Sequence, residues 1–373
     1  MPTLGIQTQQ PLSAIPFIRE THSAVVKVIS SEFSESDARA ILAASPNTQL
    51  AWRCYWQGQP APGEAPIEGV VATYAAQILV SSAVQAGLVT YVEAHSEGFN
   101  YGYGIDGTAW DAYFVEMCDL LEPHGLKVIV GCFGTGNGDA AWWLDTLPQT
   151  CRRATYFGFQ EYGWPVMQAQ QSLPGAPYHA LRHKDIIAAI RQVNPKAVPV
   201  IVECGLTQLV LGEGHADVGY WAVPKTPQQF VDEDMRWYMA VVDPQAIVLW
   251  YGVAMYEQWD ATFGMDTPEI RAAWPMLAAL QSPDPMDYPM DFPIGFPIGF
   301  PPFGYIAEPT EPIPPQEGTM PTQQQINLAL DVLWGIGRVL KGEQSLPGDT
   351  LPNLGQQLQD ASIILKEAAR PLP

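Results

Sequence analysis

Two stretches of the chain decide its fold, Leu88-Val-Thr-Tyr-Val-Glu-Ala-His-Ser-Glu97 and Val198-Pro-Val-Ile-Val-Glu203-Cys-Gly205. Each is a short apolar, β-branched run that stops at a carboxylate and is followed closely by glycine. Buried parallel strands have this composition because helices cover both faces of their sheet. The two runs therefore predict parallel strands that deliver Glu97 and Glu203 to the loops at their carboxyl ends.

Eight strand-like runs precede residue 260, and helix-like stretches lie between them. Strands that alternate with helices pair in parallel through crossover connections. Eight such units predict a closed TIM (β/α)8 barrel over residues 1–281. The first run is the weakest of the eight strand predictions, because Gln7, Gln9 and Gln10 make it polar. The runs are 3–8, 24–30, 49–55, 88–95, 126–133, 155–161, 198–203 and 246–252, and the helices include 35–44, 70–86, 108–122, 178–193, 227–241 and 267–280.

The composition changes after the predicted barrel. Residues 282–318 are rich in proline and phenylalanine, and proline lacks the donor that a helix or a central strand requires. This segment is either a semi-rigid linker or an extended arm that docks in an apolar groove. Residues 319–373 predict a C-terminal helical hairpin, at about 322–340 and 353–369, with apolar stripes that need a partner surface. The tail therefore predicts a homo-oligomer or a larger particle.

Charge and composition exclude several classes of partner. The net charge is −21, with 39 acidic against 18 basic residues, which argues against nucleic acid and against an anionic membrane. Twelve tryptophans and 15 tyrosines are compatible with a carbohydrate-binding cleft. The five cysteines and six histidines show no metal-ligand spacing, so neither a metal nor another cofactor is predicted.

The N-terminal residues lack the basic and apolar regions of a signal peptide. No window offers the ~20 apolar residues that cross a bilayer. The sequence thus predicts a protein that is cytoplasmic at synthesis. It would reach the outside by lysis or as part of a particle such as a virion.

The two strand-end glutamates carry the candidate chemistry. Hydrolysis of a glycosidic bond needs two carboxyl groups, and the strand ends of one barrel can supply both. In an extended strand Glu93, His95 and Glu97 share one side. Glu93 then lies deeper in the barrel and needs a donor, for which Arg53 is the candidate. The alternative for Glu97 is a cap or salt bridge to the following loop.

Two further runs add candidates at the same mouth. The run 154–165 contains Glu161, the rival of Glu97 as the acid, and Tyr162, a hydrogen-bond donor for a nucleophilic carboxylate. It also contributes Trp164. Trp250, near the end of the eighth run, is either a sugar-stacking floor or core filling. Gly134-Thr-Gly136 follows a strand but lacks the residues of a phosphate-binding loop.

Three phrases resemble those of clan A glycoside hydrolases, including uncharacterised bacterial and phage members. They are Tyr91-Val-Glu-Ala-His-Ser-Glu97, Gln160-Glu-Tyr-Gly-Trp-Pro165 and Pro199-Val-Ile-Val-Glu-Cys-Gly205, within a resemblance that covers residues 1–280. The resemblance implies a retaining enzyme on a TIM barrel, with Glu97 as acid/base at strand four and Glu203 as nucleophile at strand seven. The implied substrate contacts are Arg53, His95, Ser96, Tyr162, Trp164 and Trp250.

The sequence departs from the clan pattern at two positions. Ser96 stands where the clan has asparagine, and Gln160 stands where related members have histidine. Either change weakens the case for turnover. The second hypothesis is a non-catalytic barrel that serves as a structural or glycan-binding component of an assembly such as a virion. The missing signal peptide, the Pro/Phe-rich arm and the helical tail favour it, whereas the intact pair of glutamates favours the enzyme.

Overall fold

The computed structural model describes residues 2–55, 70–95, 107–136, 138–170, 179–211, 219, 225–256 and 264–280. Ser96, Glu97, the predicted arm (282–318) and the predicted hairpin (319–373) lie outside the described residues.

Eight parallel strands form a closed barrel in which each strand pairs with the next along the chain and the last pairs with the first. The predicted TIM barrel is confirmed. The strands are β1 Thr3–Thr8, β2 Val25–Ser30, β3 Gln49–Cys54, β4 Val89–Glu93, β5 Lys127–Phe133, β6 Tyr156–Gly163, β7 Val198–Leu206 and β8 Ile247–Tyr251.

Helices alternate with these strands. They are α1 Ile15–Thr21, α2 Glu35–Ala44, α3 Val70–Leu79, α4 Ser82–Gln85, α5 Thr108–Leu121, α6 Ala140–Thr146, α7 Pro148–Arg153, α8 Arg182–Val193, α9 Pro227–Gln229, α10 Arg236–Val241 and α11 Pro268–Ala278. Two predicted helices are interrupted: 70–86 divides into α3 and α4, and 227–241 contains a π-helical turn, Phe230–Met235. Side chains cap the N-termini of several helices, including α2, α6 and α11. The caps of these three are Ser34, Asp139 and Thr267, and each accepts a hydrogen bond from a backbone N–H of the first helical turn.

Two apolar cores hold the barrel together. The larger core packs the outward faces of the strands against the helices and includes Trp52, Trp110, Trp143, Trp250 and Trp274. The smaller core fills the barrel interior. Each buried side chain of Val, Leu or Phe size contributes about 1.5–3 kcal/mol through removal from water. The interior core consists of Val25, Ala51, Tyr91, Ile129, Cys132, Val200, Val202, Ile247 and Leu249.

A bulge in β7 changes which residues point into the barrel. Ile201 pairs with Phe159 of β6, but the next pair is Glu203 with Gln160, so Val202 is an extra residue. Val202 packs in the interior core while Ile201 packs in the outer one. The bulge therefore turns two consecutive side chains, Val202 and Glu203, inward, which strict alternation would forbid.

Candidate active site

Polar side chains line the barrel interior above its apolar core. Gln7 and Lys27 are register partners on β1 and β2, and both are buried. The inward position of Gln7 explains why the first strand reads as polar. These residues lie toward the carboxyl ends of the strands, where TIM barrels hold their active sites. The inward polar set is Gln7, Lys27, Arg53, Glu93, Gln160 and Glu203.

Glu203 contacts one hydroxyl and two cations, which come from three other strands. The Tyr162 hydroxyl donates a hydrogen bond of 3.0 Å to Glu203 Oε2. The other carboxylate oxygen, Oε1, lies 3.7 Å from Arg53 Nη1 and 4.0 Å from Lys27 Nζ. The Glu203 side chain keeps 10% of its surface exposed. Two cations and a hydroxyl thus favour an ionised, oriented carboxylate at the mouth of the barrel.

Glu93 lies deeper and forms a buried ion pair with Lys27, in which both side chains are 1% exposed. Arg53 also contacts Glu93, with Nε 3.8 Å from Oε1, and so lies between the two glutamates. The contact between Arg53 and Glu93 agrees with the sequence prediction. Lys27 was missed, although a lysine at the centre of the apolar run Val25–Ser30 was the available signal.

The inward alternation predicted from Glu93 to His95 is wrong. Strand β4 ends at Glu93, so the alternation of an extended strand does not continue to His95. The His95 ring packs edge to face against Trp110 and Tyr113 of α5, at centroid distances of 4.8 and 6.1 Å. His95 is 1% exposed in this packing, so its predicted contact with a sugar is also wrong.

The prediction of Glu161 as an alternative acid is wrong, because its side chain points away from the barrel interior. Its carboxylate is fully buried and accepts bonds from the backbone N–H groups of Leu181 and His183, at 2.7 and 2.8 Å, and from the Tyr238 hydroxyl. The His183 Nδ1–H donates a further bond of 2.8 Å, while His183 Nε2 accepts the Asp243 N–H. Glu161 therefore fastens the start of α8 to β6.

The electrostatics agree with a structural role for Glu161. Burial raises the pKa of this carboxyl, and its interactions with His183 and Tyr238 outweigh burial, so that the pKa lies below its ordinary value. A carboxyl group that stays ionised with all its donors in place has no proton to give to a leaving group.

Of the two roles predicted for Trp250, core filling is confirmed and the sugar-stacking floor is wrong. Its ring is fully buried and packs against Phe230 and Tyr238, at centroid distances of 5.7 and 5.9 Å, on the outer face of β8. Tyr251 has the inward position, since it follows Leu249 of the interior core by two residues and keeps part of its surface exposed. Trp164 follows β6 and is partly buried, and its substrate contact stays a prediction.

Within the described residues, no group of three or more His, Cys, Asp or Glu side chains is arranged to hold a metal ion. In the same part of the chain, no helix has the length and apolar character that crossing a bilayer requires.

The thiol of Cys132 lies in the barrel interior, close to the charged side chains of the inward polar set. Burial raises its pKa well above the ordinary value, with Glu93 adding to the effect, so this cysteine stays a neutral thiol.

Neither a protein-family model nor the sequence of a curated protein matches the chain. Among solved structures, the chain is similar to Gas2p of Saccharomyces cerevisiae. The apo form of a Gas2p mutant shares 13% identity and a TM-score of 0.46, over 75% of this chain and 61% of that one. The same protein with laminaritetraose and laminaripentaose shares 14% identity and a TM-score of 0.45, over 75% and 64%. Gas2p in complex with laminaritriose and laminaritetraose shares 13% identity and a TM-score of 0.44, over 75% of this chain and 65% of that one. The chain thus spans less than two thirds of the length of these structures.

Proposed function

We propose that this protein is a retaining glycoside hydrolase that acts on a poly- or oligosaccharide, with Glu203 as nucleophile. The observation that carries the proposal is the environment of Glu203. A carboxylate at the mouth of a TIM barrel has a tyrosine hydroxyl at 3.0 Å and two cations within 4.0 Å. A nucleophile of this kind must be ionised and oriented before the substrate arrives.

Glu97 is the proposed acid/base residue, because it follows β4 and the rival Glu161 points out of the barrel. In the first step Glu203 attacks the anomeric carbon while Glu97 gives its proton to the departing glycosidic oxygen. In the second step Glu97 takes a proton from water, and the water oxygen attacks the same carbon and releases Glu203. Two inversions retain the anomeric configuration.

The decisive experiment is a hydrolysis screen against a panel of neutral glycans, because the net charge of −21 disfavours anionic ones. Wild-type protein is compared with Glu203→Gln, and product configuration is followed by NMR. We expect a retained anomer from the wild type and no turnover from the variant, which should keep a melting temperature near wild type. Turnover that survives in Glu203→Gln, or an inverted product, would overturn the assignment.

The second candidate is a glycan-binding barrel without turnover. Gln160 favours it, since this residue pairs with Glu203 in the sheet at a position where related members of the clan have histidine. This candidate predicts that a glycan binds wild type and Glu203→Gln with similar affinity while neither protein releases a reducing end. Calorimetry on the same panel distinguishes the two candidates.

A further inference from the structure

The bulge in β7 leaves one residue, Val202, outside the regular register of the barrel. Val202 has no register partner on β6 or on β8, and both of these strands are described in full. Its side chain is buried in the interior core, so the orientation of this peptide unit decides where the next side chain points. That next side chain is Glu203. The position of the candidate nucleophile therefore depends on what stabilises the bulge.

The Lys27 side chain contacts the bulge directly. Its ammonium donates a hydrogen bond of 3.2 Å to the Val202 carbonyl oxygen, across 175 residues of sequence. The same ammonium forms the ion pair with Glu93 and lies 4.0 Å from Glu203 Oε1. One buried cation thus contacts the bulge, its counter-ion and the carboxylate that the bulge presents.

We propose that Lys27 is a positioning residue of the active site, which fixes the Val202 bulge and supplies a buried positive charge beneath Glu203. Glu93 is its counter-ion, and it makes a lysine tolerable in the barrel interior. The inference rests on the proposed function only in naming Glu203 the nucleophile. The geometric and electrostatic coupling between Lys27 and Glu203 is independent of turnover.

The competing interpretation is a core ion pair that stabilises the barrel and has no influence on Glu203. Buried ion pairs can often be replaced by neutral side chains of similar size without loss of stability. Removal of one partner alone, however, leaves the other as an unpaired buried charge. The informative variant is therefore the double substitution Lys27→Met/Glu93→Gln, which leaves no unpaired partner. Glu93→Gln alone is the matched control, because it retains the lysine.

The primary readout does not require activity. Protein labelled with 13C at the glutamate side-chain carboxyl carbon is titrated by NMR, and the Glu203 signal is identified by its absence in Glu203→Gln. Relative to Glu93→Gln, the double variant should raise the Glu203 titration midpoint by at least about one pH unit, because these two variants differ only in the cation at 4.0 Å. In Glu93→Gln we expect an unchanged or lower midpoint. Among the described residues, the ionisable groups around Glu203 that the titration must take into account are Lys27, Arg53, Glu93, Cys132 and Tyr162, and the proposed acid/base residue Glu97 must be included with them.

Turnover supplies the second readout once a glycan substrate is known. We expect kcat of the double variant to fall about 10- to 100-fold with KM within about threefold, and the acid limb of its pH profile to move to higher pH. A folded double variant whose Glu203 titration midpoint equals that of Glu93→Gln would overturn the proposal. If the titration shifts but no glycan is hydrolysed by the wild type, the coupling stands and the proposed function fails.

Discussion

Tyr162 and Glu203 lie on neighbouring strands, and the tyrosine hydroxyl is bonded to the glutamate carboxylate at 3.0 Å because the Val202 bulge shifts the register between them. In that shifted register Tyr162 pairs with Gly205 and Gln160 pairs with Glu203. The two functional groups thus meet from inward positions of β6 and β7. The contact orients Glu203 and leaves its charge at the open end of the barrel.

Tyr162→Phe should lower kcat about 10- to 100-fold, because a hydrogen bond to a charged group contributes about 1.5–3 kcal/mol. The matched control is Tyr238→Phe, which removes a buried tyrosine bond to another glutamate, Glu161, outside the barrel. We expect Tyr238→Phe to lower the free energy of unfolding while turnover per folded molecule stays near wild type. Steady-state kinetics and urea unfolding of both variants test this, and equal kinetic losses would contradict it.

Glu161→Gln should destabilise the protein by about 2–3 kcal/mol without a loss of turnover. Every polar contact of this carboxylate comes from a donor, so the NH2 group of a glutamine must face at least one of the N–H or O–H groups. Urea unfolding gives the stability change, and activity is measured at a temperature where the variant is folded. A stable variant that has lost turnover would restore Glu161 as a catalytic acid.

His179 should make the protein less stable in mild acid. Burial lowers its pKa from 6.5 to about 4, and the nearby Arg182 adds to the effect. Between these values the unfolded chain binds a proton that the folded protein does not, so this contribution to stability is present above pH 6.5 and is lost as the pH falls. We expect a loss of about 2 kcal/mol from this group between pH 7 and pH 5.

The measurement for His179 is urea unfolding at pH 7 and at pH 5. His179→Gln should reduce the difference between the two pH values by about 2 kcal/mol. The control is His124→Gln, because His124 is exposed. An identical pH dependence in wild type and His179→Gln would show that the histidine is accessible to protons in the folded state.

The carboxyl groups of Glu97 and Glu203 should lie about 5–5.5 Å apart, the separation at which a carboxylate reaches the anomeric carbon directly. A crystal structure with a bound glycan or a trapped glycosyl ester on Glu203 would measure this distance. A separation beyond about 7 Å leaves room for a water molecule and would point to inversion.

Truncation at Ser282 should leave the barrel folded and change the sedimentation of the protein. The sequence of 283–318 is too apolar for a free linker, and each Phe or Leu that it buries on a partner surface would contribute about 1.5–3 kcal/mol. Analytical ultracentrifugation of the full chain and of the truncated one tests the prediction. Unchanged sedimentation per mass, together with a protease-sensitive tail in the full chain, would identify the tail as a tether.

The sequence was sufficient for the barrel because its signals are local. Each strand is a short apolar run, and the predicted boundaries differ from the observed ones by at most three residues, as at β7, which continues to Leu206. The helix prediction failed where tertiary contacts decide the ends, as at α8, which begins at Arg182 because Glu161 accepts the N–H groups of its first turn.

Glu203, Tyr162 and Arg53 were predictable because each stands at the end of an apolar run, and a parallel barrel brings such ends to one mouth. Only the tertiary structure decided which side of its strand each residue occupies. Strict alternation fails at the Val202 bulge and after Glu93, and the contacts found there, such as the hydrogen bond from Lys27 to Val202, join residues far apart in sequence. Side-chain direction has a period of two residues, so a single inserted or lost position reverses it, and no local pattern records that insertion.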